Sequence, residues 1–178
     1  MDTQVKGQTI KRWAVIVGTL LFVTVFLVPI TRAADEVAYR VVYHTLKVDS
    51  KEMGDVPGHI QGVGQQAGLA FFTKGPGSGE IATRTSSFTF DTVKGKGTTT
   101  GDILYTFRDG STMSIKATGT LTPVDGGKTG VSEGTYEVSG GTGRFAGMKG
   151  NGTWKAERLG PRETGSDSYA DVTGNTWK

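Results

Sequence analysis

The chain of 178 residues has no cysteine and only two histidines. The missing cysteines exclude disulfides, thiol nucleophiles and thiolate metal ligands. His44 and His59 form no HxH or HxxxH pair, so neither a histidine-based metal site nor a metal cofactor is predicted. The residue pattern indicates no catalytic constellation.

The chain beyond its N-terminal segment also lacks an excess of basic residues. Of the 20 basic and 17 acidic residues, four basic and one acidic lie within residues 1–33, so the remainder carries 16 of each. The net charge of +3 therefore comes from the N-terminal segment. A nucleic-acid-binding surface would need a basic excess on the folded domain, so no nucleic-acid partner is predicted.

Residues 1–33 have the composition of an export signal. A basic start is followed by the uncharged run 13–30, which contains the helix breaker Pro29, and then by Thr31-Arg32-Ala33. This order predicts a signal peptide cleaved after Ala33 and a periplasmic or secreted protein. The alternative is an uncleaved anchor, because the run 13–30 is close to the minimum length for spanning a bilayer.

Glycine and short alternating segments dominate the rest of the chain. Residues 34–178 hold 26 of the 28 glycines, and no amphipathic helix pattern of useful length occurs there. Period-two alternation broken by turn residues predicts an all-β domain. The turn pair Asp109-Gly110 favours a hairpin, whereas residues 50–64 are predicted to form a long loop. The predicted strands are 36–48, 67–74, 80–93, 100–109, 111–122, 131–139, 151–159 and 167–177.

The number of strands and the missing disulfides together predict a closed sheet. A fold without cross-links must be held by its core and must protect its sheet edges, and a barrel does both. We therefore predict a single domain over residues 34–178, an eight-stranded antiparallel β-barrel.

Residues 139–152, SGGTGRFAGMKGNG, contain a glycine pattern that fits a dinucleotide-binding loop. Such a loop must open a helix. Gly147, Gly150 and Gly152 lie where that helix would continue, and each costs about 1 kcal/mol relative to alanine in a helix. We interpret the segment as a sharp turn between two strands, with glycines at positive φ and Phe145 in the core. No nucleotide cofactor is predicted.

Four acidic residues interrupt the predicted strands. Outward-facing charges usually keep a barrel soluble and discourage edge pairing, which is the reading we favour for these residues. One that pointed inward beside Tyr105 or Arg84 would instead become a candidate acid or base. The four are Asp102, Glu133, Glu137 and Asp171.

Several segments together resemble the allene oxide cyclase and dirigent barrel superfamily. The most specific is VSGGTGRFAGMKGNG (138–152), which is similar to the family's Gly-Gly-[Ser/Thr]-Gly-x-Phe-x-Gly-x-x-Gly signature. GDVPGH (54–59), AGLAFF (67–72) and YTFRDGSTMSIKATGTLT (105–122) resemble further family segments in the same order. The resemblance implies an exported, bacterial-type member with an eight-stranded barrel, an apolar cavity and a commonly trimeric assembly.

The resemblance carries function less far than fold, because one fold serves many functions. Lys47 stands where the plant cyclases have an active-site carboxylate. Ala70 stands where they have a cysteine after Ala-Gly-Leu.

Three functional hypotheses follow. The first is an exported barrel that binds a small apolar or aromatic molecule, with a cavity lined by Tyr105, Phe107, Phe90, Trp154 and His44. The second is a cyclase-like or dirigent-like isomerase that confines a reactive intermediate, which predicts a carboxylate or a Tyr–Arg pair in the cavity. The third is a structural envelope protein, which a closed interior and large outer aromatic patches would favour. The partners expected are a small hydrophobic ligand and, through the resemblance, two further copies in a homotrimer.

Overall fold

The computed structural model describes residues 34–161 and 165–178, and these form a closed eight-stranded antiparallel barrel. Each strand pairs with its neighbour in the chain, and β8 pairs with β1 to close the sheet. This confirms the predicted all-β architecture and strand number. The strands are β1 Asp35–Glu52, β2 His59–Lys74, β3 Ile81–Val93, β4 Lys96–Thr106, β5 Thr112–Val124, β6 Thr129–Gly141, β7 Lys149–Arg158 and β8 Asp167–Trp177.

The predicted signal peptide lies outside the described residues. Within the described ranges, no helix has the length and apolar character needed to cross a bilayer. The only helical segments there are short 3-10 turns at Asp125–Gly127 and Gly143–Phe145.

The largest difference from the predicted strands is in residues 50–64, where the predicted loop is mostly strand. Gly62 and Gly64 lie inside β2, opposite Phe90 and Phe88 of β3. A Cβ atom on Gly62 would lie 2.5 Å from the Phe90 ring, and one on Gly64 would overlap the Phe88 ring. These glycines make room for rings on the neighbouring strand, so they extend the sheet where local composition predicted a loop.

Alternation along each strand sorts side chains between the core and the outer surface. On β1, Val37, Tyr39 and Val41 are buried, whereas Arg40 and Val42, on the opposite face, are exposed. The exposed Arg40 forms a two-bond ion pair with Asp171 of β8, with both N–O distances at 2.7 Å. Strands of this kind give a barrel interior that is separate from a charged exterior.

The acidic residues within the strands all face outward. Asp102, Glu133, Glu137 and Asp171 are exposed, as expected for charges on the outer wall. None of the four is therefore placed to act as an acid or base inside the barrel.

One end of the barrel is filled by aromatic rings, and we call it the closed end. Phe107, which follows β4, stacks against Phe145 with ring centroids 4.5 Å apart, and it lies 5.0 Å from Phe72 of β2. All three are buried, and Phe145 has no exposed surface. The closed end is defined by these three rings.

The glycine-rich segment 139–152 forms the cover of the closed end. Gly143 and Gly147 adopt φ of +58° and +74°, and Phe145 between them is fully buried, as predicted. A strand, β7, follows where a dinucleotide-binding loop would need a helix. The glycines thus serve a turn between β6 and β7.

Arg144 fastens this turn to two others at the closed end. Its Nη2 donates to Glu80 before β3 at 2.7 Å, and its Nε lies 3.5 Å from a carboxylate oxygen of Asp109 in the β4–β5 turn. The guanidinium also lies 4.8 Å and 4.9 Å from the ring centres of Phe107 and Phe145. One side chain therefore links three loops above the aromatic rings.

Candidate functional site

A cavity of about 140 Å³ occupies the other half of the barrel interior, which we call the open half. It extends from buried tyrosines near the barrel centre to Gly95, Pro123 and Gly130, at the β3–β4 and β5–β6 turns. Apolar side chains from five strands form much of its wall. They are Val41, Ile103, Ile115, Ala117, Leu121, Trp154, Ala170 and Val172.

Trp154 is the largest side chain of this wall and packs over Gly119 of β5. It pairs across the sheet with Gly134 of β6. A Cβ atom on Gly119 of β5 would lie 2.5 Å from the indole ring. The indole nitrogen donates a hydrogen bond to the carbonyl oxygen of Thr135 at 3.2 Å, so the ring is fixed against the wall.

Buried tyrosines form the deep part of the cavity. The rings of Tyr39 and Tyr105 meet edge to face with centroids 5.5 Å apart, and Tyr105 is 1% exposed. Burial raises the pKa of Tyr39 and of Tyr105, although the nearby Arg84 guanidinium opposes the rise. Burial raises the pKa of Tyr136 to about 12. All three phenols therefore stay protonated at neutral pH and can donate hydrogen bonds.

Arg84 brings a positive charge into the same cavity. It lies on the inner face of β3 and is 7% exposed. Its Nη2 donates to the amide oxygen of Gln66 at 3.2 Å, and its guanidinium carbon lies 4.4 Å from the centre of the Tyr43 ring. Among the described residues, its Nη1 has no hydrogen-bond partner.

No acidic side chain balances this charge in the part of the cavity wall that the structure describes. The second arginine of the wall, Arg158, donates to the carbonyl oxygens of Gly127 and Thr129, each at 3.2 Å. Arg158 is thus engaged by the β5–β6 turn. The cavity combines an apolar wall with an uncompensated cation and protonated phenols.

Two of the five residues predicted to line a cavity do so. Tyr105 and Trp154 are in its wall. Phe107 belongs to the closed end instead, and Phe90 points inward but packs over Gly62 outside this cavity.

His44 lies on the outer surface, where its Nδ1 is 2.9 Å from a carboxylate oxygen of Asp167. The physical reason is strand alternation: Tyr43 and Thr45 point into the barrel, so the residue between them points out.

Arg84, Tyr39, Tyr43 and Tyr136 also line the cavity, although none of them was predicted to do so. Strand alternation could have predicted that Arg84 points inward, because Arg84 lies on the same face of β3 as Phe88. The same reasoning places Tyr39 and Tyr43 on the face of Val41.

The second histidine lies in a separate cluster, at the β1–β2 turn. His59 contacts Asp55 through Nδ1 at 2.6 Å and Asp91 through Nε2 at 2.8 Å. Hydrogen bonds to Asp55 and then to Asp91 raise the pKa of His59. Within the described ranges, no group of three or more His, Asp or Glu side chains is arranged to hold a metal ion. The cluster connects the turn to β3.

Comparison with known proteins adds one distant likeness. No protein-family model matches the chain, and no curated protein matches it in sequence. A solved structure of a pterocarpan synthase dirigent protein is similar, with 18% identity over 83% of this chain and 94% of that chain, and a TM-score of 0.43. At this TM-score the likeness supports neither a shared fold nor a shared function. The fold is therefore assigned from strand pairing alone, as a closed β-barrel with an internal cavity.

Proposed function

We propose that this chain is an exported β-barrel protein that binds a small apolar or aromatic molecule in the open half of its barrel. The observation that carries the proposal is the cavity of about 140 Å³ with an apolar wall and a buried polar floor. An engineered apolar cavity of about 150 Å³ holds a benzene molecule, so this volume suits a ligand with one ring. A few polar groups within an apolar pocket are the usual means of orienting a ligand.

Filling the cavity tests this function. Ala117 lines the cavity, and Thr118 beside it faces outward. Toluene should bind the full chain, as measured by NMR titration of cavity methyl groups. Ala117→Phe should abolish that binding, whereas Thr118→Phe places the same ring on the outer wall and should retain it. Equal toluene binding by both variants would contradict the proposal.

A dirigent-like or cyclase-like isomerase is the second candidate function. It is favoured by one observation: the Arg84 guanidinium lies in the cavity wall against Tyr43 and near Tyr105. Confinement of a flexible intermediate against such groups can select one product conformation. The test is chiral chromatography of a reaction whose intermediate gives a racemic product in water. The full chain should produce an excess of one enantiomer, and Tyr105→Phe should reduce it.

A closed interior would favour the third hypothesis, a structural envelope protein, and the cavity argues against it. Export remains part of the proposal. N-terminal sequencing of the protein from its host should begin at Ala34 if the signal peptide is removed, and an intact N-terminus would support the anchor.

A homotrimer is the assembly that we propose. Apolar side chains are exposed on the outer face of β1–β4, where Val42 pairs with Leu69 and Phe71 pairs with Ile81. Exposed apolar patches of this kind support self-association. Native mass spectrometry should find three subunits, and a monomer at micromolar concentration would contradict the trimer.

A further inference from the structure

Three buried side-chain polar atoms among the described residues lack a hydrogen-bond partner, and two belong to the cavity wall. They are Nη1 of Arg84 and the hydroxyl oxygen of Tyr136, whereas the third, Oγ of Ser166, is not in the wall. Buried polar groups are almost always paired, so an unpaired group in a cavity calls for a partner from outside the chain. Both cavity atoms can donate a hydrogen bond.

The positive charge on Arg84 strengthens the requirement for a partner from outside the chain. A guanidinium stays protonated in proteins, and a buried charge is costly unless an opposite charge accompanies it. Arg84 is 93% buried, and no carboxylate of the described residues forms an ion pair with it. Gln66 and the Tyr43 ring hold the guanidinium in place without neutralising it.

The surroundings favour an anion over a neutral acceptor. The described cavity wall contains no Asp or Glu that would repel a negative charge, and the acidic residues of the strands face outward. A charge-assisted hydrogen bond from a guanidinium is about twice as strong as a neutral one. A planar carboxylate matches the guanidinium fork better than other common anions of this size.

The inference rests on the proposed function and specifies the ligand. We propose that the open half binds a small apolar or aromatic carboxylate, whose anionic group contacts Nη1 of Arg84 and whose apolar body lies against the wall around Ile115 and Trp154. The Tyr136 hydroxyl is a further donor in the same cavity. A cavity of about 140 Å³ suits a ligand of the size of benzoate.

Isothermal titration of the full chain with benzoate and with benzamide tests the charge requirement directly. The two probes share a ring and differ in the charge of the substituent. Benzoate should bind at least about tenfold more tightly, the ratio that about 1.4 kcal/mol produces at 25 °C. Because Arg84 is buried, raised salt should reduce this preference only slightly.

Matched variants assign the preference to one residue. Arg84→Gln should weaken benzoate at least about tenfold and leave benzamide within about twofold. Arg40→Gln removes the same charge from the outer wall and should change neither, because Arg40 is exposed and paired with Asp171. The comparison of two probes on the unaltered chain stands even if Arg84→Gln fails to fold.

Each other result has a distinct meaning. Equal affinity for benzoate and benzamide would overturn the carboxylate and leave the proposed ligand-binding function intact. Acetate binding as tightly as benzoate would overturn the apolar part of the ligand. If neither ring compound nor toluene binds, the proposed function itself fails, and the inference fails with it.

Discussion

The closed end and the open half of this barrel are built from the same eight strands but differ in how their inward side chains are packed and paired. At the closed end, Phe107 and Phe145 pack against each other, and Arg144 is paired with carboxylates on its outer side. In the open half, Arg84 and Tyr136 each have a buried polar atom that no described residue pairs with, beside the cavity. The difference shows that close packing and open space are separated along the barrel axis.

The separation has an energetic basis. A buried polar atom without a hydrogen-bond partner lowers the free energy of unfolding by about 1–3 kcal/mol. The burial of aromatic rings raises it, because apolar area is removed from water. The closed end therefore stabilises a barrel whose other half tolerates unfavourable groups. Sites with this character are expected where function opposes stability.

The largest expected effect comes from emptying the closed end. Phe145→Ala should lower the free energy of unfolding by about 3–5 kcal/mol, because it leaves a cavity at a fully buried position. Urea unfolding followed by tryptophan fluorescence measures the change. As a control, Leu46→Ala, at a position 62% exposed, should cost less than about 1 kcal/mol. A Phe145→Ala effect as small as that of Leu46→Ala would remove the distinction between the two regions.

A smaller effect of opposite sign is expected in the open half. Tyr136→Phe removes a buried hydroxyl without a partner in the described residues, so the free energy of unfolding should stay level or rise by about 1 kcal/mol. Tyr105→Phe removes a hydroxyl that is hydrogen-bonded to Tyr39, so it should lower the free energy of unfolding by about 1 kcal/mol. Equal losses from the two substitutions would show that Tyr136 is satisfied in solution.

The smallest expected effect is a pH dependence of amide-exchange protection. It should be confined to the β1–β2 turn, which borders the open half. The pKa of His59 is raised in the folded state, so its contribution is complete below its unfolded value of about 6.5 and is lost as pH rises through the folded value. The pKa of Asp55 is lowered, so its contribution is present above about 3.9 and is lost on acidification. Amide-exchange protection of residues 53–60 should therefore fall as pH rises above about 6.5.

Two controls sharpen this measurement. His59→Gln should remove the pH dependence of protection, and residues 143–148 at the closed end should show no such fall over the same rise in pH. A similar loss of protection at both ends would indicate a global change in the barrel.

The strand number could be predicted from the sequence because alternation and turn residues are local signals. The start of β2 could not, since Gly62 and Gly64 belong to a strand only through rings on β3. The prediction that His44 points into the barrel is wrong, because the neighbouring Tyr43 points inward instead. A shift of one residue along a strand moves a side chain to the opposite face. The inward direction of Arg84 could have been predicted from the sequence. Arg84 and Phe88 lie on the same face of the strand, so the direction of one follows once the other is known to point inward.

The pairing of rings with bare backbone has a consequence for how this barrel can change. Trp154 fits only because Gly119 lacks a side chain, and a Cβ atom on Gly174 would lie 2.5 Å from the Tyr136 hydroxyl oxygen. The width of the interior is thus set by pairs of residues two strands apart and not by the course of the strands themselves. Exchanging the two members of such a pair together would reshape the space inside the barrel while the hydrogen-bonded wall stays where it is.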